Sequence, residues 1–137
     1  MSRRQSRKNA MQLIYEMNIN EDYNKSRIED FCNYQKIDKN DEHFFKELVN
    51  NFLDNFDSIV NIVKVNAKQW NFDRINKLDL SIIELGVCEI LYSENTPDSV
   101  AINEAVELSK EFSTEKSYSF INGILGSVVK RKDDASL

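Results

Sequence analysis

A chain of 137 residues, 41% hydrophobic and 30% charged, is long enough for one domain with its own core and too apolar to be disordered. Three glycines and one proline leave little material for the turns of an all-β fold. The formal net charge of -5 argues against nucleic acid as a partner, but Arg3, Arg4, Arg7 and Lys8 put four cations in the first eight residues; -5 less these four leaves -9 on the rest, a basic pole on an acidic body.

The first four residues look like the start of a signal peptide, but no apolar run follows them, and no stretch is long and apolar enough to span a membrane. Cys32 and Cys88 are far apart and form no Cys-x-x-Cys pair, which predicts buried free thiols and a reducing, cytoplasmic setting. Ser2 and Gln5 have capping-box spacing, and Ala10, Met11, Ile14 and Met17 give a helical apolar stripe to about Ile19. The basic residues then occupy the first turns of a helix, where exposed N–H groups are already partly positive and each cation costs a few tenths of a kcal/mol. A stripe working against its own helix suggests an anionic ligand, with Arg4, Lys8, Gln12 and Tyr15 along one side. The alternative is a solvated basic end.

Residues 21–25 are polar; Ser26 with Glu29 predicts the cap of a short helix carrying Ile28, Phe31 and Cys32. After a second polar connection, Phe45, Leu48, Phe52, Phe56, Ile59 and Val63 predict one long helix. His43, near its start, has no second histidine or paired cysteine and reads as a surface or capping residue. Trp70 and Phe72 form an aromatic hinge, and Asn76 with Asp79 caps the next helix. From 78 to 92 apolar residues appear on most sides, so neighbours bury that helix all round. Residues 93–99, with Pro97, form a loop.

Ala101, Ala105, Leu108 and Phe112 make the buried row of another helix, and Tyr118, Ile121, Leu125 and Val128 that of the last, joined across residues 113–117. Gly86, Gly123 and Gly126 all fall in helical windows at about 1 kcal/mol each against Ala, which predicts close backbone-to-backbone approach or, at Gly126, a helix break. Lys130, Arg131 and Lys132 lie favourably at a helix C-terminus, and residues 133–137 are expected to fray.

No glycine-rich phosphate loop, His-Glu-x-x-His or paired cysteine is present, so neither enzymatic chemistry nor a metal or other cofactor is indicated. The carboxylates are spaced as on a solvated helix surface. Binding is the better class, since single-stranded RNA is held by cations along its phosphates and by aromatic faces under its bases. Tyr15 follows the basic stripe, and Phe112 and Phe120 bracket the 113–117 connection. Phe112 also continues a core row, so plain packing stays open for it.

The string Ile102-Asn103-Glu104-Ala105-Val106-Glu107-Leu108 with Phe112, followed by Phe120-Ile121-Asn122-Gly123-Ile124-Leu125, closely resembles the signature of the bacterial NusB family of transcription antitermination factors. Trp70, the segment Leu78-Asp79-Leu80-Ser81-Ile82-Ile83-Glu84-Leu85-Gly86, Pro97 and the N-terminal Arg7-Lys8-Asn9-Ala10-Met11-Gln12-Leu13-Ile14-Tyr15 fit the same family, and only residues 17–67 match without distinctive positions. The resemblance implies an all-α, NusB-like fold of two three-helix subdomains packed as one domain, about 1–66 and 67–132. It implies binding of boxA RNA from ribosomal RNA operons together with the ribosomal protein NusE, within the elongating RNA polymerase complex. The RNA-facing positions it implies are Arg3, Arg4, Arg7, Tyr15, Phe112, Lys116, Ser117 and Phe120, with Asp79 toward NusE or, alternatively, only a helix cap. Lys116, Glu84 and Gly126 depart from the family pattern, where an acid, a base and an Asp are expected. A homodimer masking the RNA face stays open. The alternative function is a helical adapter that binds protein through its acidic face, like NusB-type domains joined to RNA methyltransferases, although no methyltransferase domain follows here.

Overall fold

A computed structural model describes residues 3–135, all helices and connections with no strand among them. The predicted capping box at Ser2 lies outside these residues. The order is α1 (Arg3–Asn20), α2 (Ser26–Gln35), α3 (Lys39–Asp54), α4 (Phe56–Asn66), two single 3-10 turns at Lys68–Trp70 and Phe72–Arg74, α5 (Lys77–Tyr92), α6 (Asp98–Phe112) and α7 (Glu115–Ala135).

The apolar all-round segment is the axis of the fold. Helix α5 packs against α1, α3, α4, α6 and α7, and Ile82, Ile83, Val87 and Cys88 are fully enclosed. Its start is capped as predicted: Asn76 Oδ1 accepts from the Asp79 N–H at 2.8 Å, while Asn76 Nδ2 donates to the Asp79 carboxylate at 3.0 Å. Around it close Leu13, Ile14 and Met17 of α1, Phe45, Leu48 and Phe52 of α3, Ile59 and Val63 of α4, and Ile121, Ile124 and Leu125 of α7. Cys32 and Cys88 are buried free thiols and His43 is exposed.

Three local expectations are corrected. The long helix over 45–63 is two helices broken at Asn55, whose side-chain amide donates to the Asn51 carbonyl at 2.8 Å and competes with the backbone bond of 3.2 Å to the same oxygen. Ser26 caps nothing; it is the first residue of α2, and Asn24 Oδ1 accepts its N–H at 3.0 Å. The glycines meet side chains rather than backbone. A Cβ on Gly86 would lie 2.7 Å from Leu125 and one on Gly123 2.9 Å from the Trp70 ring, whereas Gly126 sits in open space within an unbroken α7.

The basic tail has a more particular role than dipole compensation. Lys132 Nζ donates to the Ile90 carbonyl at 3.0 Å and to Asp98 at 2.8 Å, joining the end of α5 to the start of α6. Helix α7 continues through Ala135, into the segment expected to fray.

Candidate nucleic-acid interface

The basic residues lie on two faces of α1. Arg7 is in register with Ala10, Ile14 and Met17 and is only 5% exposed. A guanidinium in that position needs an enclosed counter-charge, which Glu89 of α5 supplies through two hydrogen bonds of 2.7 and 2.8 Å, with Glu104 of α6 3.6 Å away. One turn earlier and outward, Arg4 grips Glu104 in the same two-pronged way at 3.1 and 2.8 Å. These hydrogen bonds hold the Glu104 carboxyl below its ordinary pKa and raise that of Arg4. Lys8 meets Glu111, near the end of α6, at 2.9 Å.

Arg4 and Lys8 thus form one wall, and Glu104, Glu107, Lys110 and Glu111 the other, of an open cleft of about 270 Å³ between α1 and α6. The anionic partner that the charge stripe calls for is, for three of its four cations, carried by the same chain. Only Arg3 has no acidic partner among the described residues; it is exposed, with its guanidinium 4.3 Å from the centre of the Phe44 ring.

The connection between α6 and α7 is built by Asp79. Its carboxylate accepts from Ser113 Oγ at 2.6 Å and from Ser117 Oγ at 2.7 Å, besides the Asn76 amide, and the residue is 1% exposed. The two hydroxyl oxygens, Ser113 Oγ and Ser117 Oγ, lie 2.9 Å apart beside it. A carboxylate so engaged is held inside the fold. Asp79 therefore latches the start of α5 to the 113–117 turn, and the structure gives it no surface to offer a partner. Ser117 is likewise buried, at 3%.

What the latch holds in place is exposed. Lys116 sits in solvent on the first turn of α7 with no acidic partner among the described residues. Phe112, which continues the apolar row of α6 on paper, is 43% exposed at the last residue of that helix. Phe120 and Tyr15 are half-buried. Of the eight positions expected to face RNA, then, Arg3, Arg4, Phe112 and Lys116 are open, Tyr15 and Phe120 are partly so, and Arg7 and Ser117 are interior. Sequence reasoning missed Glu89, Glu104 and Glu111. The acidic row Glu104, Glu107, Glu111 has helical spacing and could have been matched to Arg4 and Lys8, but nothing local says that two segments about a hundred residues apart are neighbours.

Among the described residues no cluster of His, Cys, Asp or Glu is arranged to hold a metal, and no helix is long and apolar enough to cross a membrane.

Residues 4–130 match the NusB family. The chain is 76% identical over 137 residues to the transcription antitermination protein NusB of Finegoldia magna, covering all of both. It is 41% identical over 132 residues to that of Acetivibrio thermocellus, covering 96% of this chain and 91% of the relative. The fold is similar to that of T. maritima NusB at a TM-score of 0.85 and 23% identity, covering 100% and 99% of the two chains. It is also similar, at a TM-score of 0.83 and 21% identity over 96% and 99% of the chains, to a structure of the antitermination factors NusB and NusE in complex with double-stranded RNA.

Proposed function

The chain belongs to the NusB family of transcription antitermination proteins, not of enzymes, and from that premise we propose that it binds single-stranded boxA RNA of ribosomal RNA operons together with the ribosomal protein NusE and joins the elongating RNA polymerase complex in the cytoplasm. The observation that carries this reading is Phe112. A phenylalanine that helical register would bury is instead 43% exposed, one residue after the carboxylate that pairs with Lys8. An aromatic face beside a basic helix end is what stacks a base while a phosphate is neutralised. The likeness to a structure of NusB and NusE in complex with double-stranded RNA supports RNA and NusE as the partners.

In this reading Arg3, Arg4 and Lys116 meet phosphates, and Phe112, Phe120 and Tyr15 receive bases. Arg7, Ser117 and Asp79 act from inside, by fixing α1 and the 113–117 turn. The acidic surface of the body remains for NusE, a basic partner. The mechanism is assembly: RNA and NusE each cover part of one protein, and the joint complex persists on the polymerase.

The test is a titration of labelled boxA and of scrambled RNA, each with NusE present, for the wild type and for Arg3→Glu with Lys116→Glu. Preference for boxA, and a loss of about tenfold or more in the double variant, is the expected result. A second reading, the protein-only adapter, is favoured by the internal neutralisation of Arg4, Arg7 and Lys8. It predicts NusE binding that RNA does not enhance.

A further inference from the structure

The three cations of α1 that meet carboxylates, Arg4, Arg7 and Lys8, are graded in accessibility, and the grading separates structural pairs from exchangeable ones. Arg7 and Glu89 are 6% and 2% exposed at their side chains, so opening that pair strands two charges in the interior. Arg4 is open, but its partner Glu104 is held at 11% exposure, between two guanidiniums. Lys8 and Glu111 differ from both: their side chains are 29% and 47% exposed, and a single contact of 2.9 Å joins them. A pair so exposed adds little net stability, because water and salt replace either partner readily.

We propose that Glu111 is a built-in competitor for RNA phosphate: its carboxylate occupies Lys8 in the free protein, must release it when a phosphate arrives, and so sets the affinity of the RNA face. The inference rests on the RNA reading above and assigns to that face a residue and a control that the reading does not contain. A carboxylate and a phosphate oxygen ask the same thing of an ammonium group, so the exchange needs no rearrangement of the fold. Its position couples the two halves of the site, for Glu111 directly precedes the exposed Phe112. Its ionic consequence can be measured: when Lys8 changes partner, the freed Glu111 gathers cations from solution, so this contact adds little net counterion release.

The experiment compares boxA RNA binding, with NusE present, for the wild type, Glu111→Gln, Asp57→Asn as an exposed carboxylate of α4, and Glu111→Gln in a Lys8→Gln background. Glu111→Gln is expected to bind about two- to fivefold more tightly near 50 mM salt and to steepen the salt dependence by roughly 0.7 in log–log slope. Asp57→Asn is expected to change neither, and the gain is expected to vanish without Lys8. Equal tightening by Asp57→Asn means that net charge alone acts and overturns the proposal, as does a gain that survives Lys8→Gln. Wild-type binding with no gain in Glu111→Gln overturns it while leaving the RNA reading standing. Absence of RNA binding by every variant overturns both.

Discussion

The residue that most changes meaning between sequence and structure is Arg7. As one of four cations at a helix start it reads as a phosphate contact; in register with Ala10 and Ile14 it is an interior residue. That register was legible, since the apolar stripe of α1 runs through position 7, but Glu89, lying 82 residues away, was not. Removing the guanidinium leaves Glu89 buried and unpaired. Arg7→Ala is therefore expected to lower unfolding stability by about 3–5 kcal/mol, seen as a lower denaturant midpoint with helical signal retained in water. A midpoint within error of the wild type would show that Glu89 finds another partner. Glu84 supplies the opposite case. It is 2% exposed, and burial pushes its carboxyl up to about 7 in spite of the 2.8 Å hydrogen bond from Asn18. The folded state then takes up this proton as pH falls through about 7, whereas the unfolded chain takes it up only near about 4.5. Stability from this group is highest below the unfolded pKa and falls as pH rises through 7, by an amount of order 2–3 kcal/mol. Glu84→Gln is expected to flatten that fall in denaturation curves taken from about pH 5 to 8.

At the scale of elements, apolar periodicity marked every helical stretch, because each helix buries one row, α2 against α3 and the others around or along α5. It failed where a polar side chain overrules the ladder. The break at Asn55 is invisible to periodicity, since Phe52, Phe56 and Ile59 keep their spacing across it; the amide of Asn55 bonding back to Asn51 makes the difference. The Asp79 latch was half legible. Its cap with Asn76 follows from local spacing, whereas its bonds to Ser113 and Ser117 depend on α5 and the 113–117 turn meeting in space. The glycines separate in the same way. Gly86 and Gly123 have a neighbour that a Cβ would meet, while Gly126 has none and lies exposed inside α7. Gly126→Ala is therefore expected to stabilise by about 1 kcal/mol, raising the melting temperature by roughly 2–4 °C. Gly123→Ala is expected to show no such gain, because the rigid Trp70 ring must give way. Calorimetry of the two variants side by side checks the pair, and equal shifts would remove packing from the explanation.

On the scale of the whole molecule, the basic pole and the acidic body are not separate territories. Carboxylates of α5 and α6 reach into the basic stripe and neutralise most of it, so the field a strand of RNA meets is weaker than the count of arginines suggests. Four fully exposed cations would give a log–log salt slope of roughly -3 for single-stranded RNA. Arg7 is removed from that count by burial, Arg4 stays neutralised by the enclosed Glu104, and a contact at Lys8 sets free the Glu111 carboxylate for the phosphate it gains. Arg3 and Lys116 contribute in full. The expected slope for the wild type is thus about -1.5, measured by titrating boxA RNA across salt concentrations with NusE held constant. A value near -3 would mean that the internal pairs dissolve without their carboxylates recapturing ions. A value near zero would shift the weight to the protein-only adapter. In the proposed reading, a face this nearly neutral holds RNA weakly on its own, and NusE on the acidic body would add the contacts that the self-paired stripe withholds.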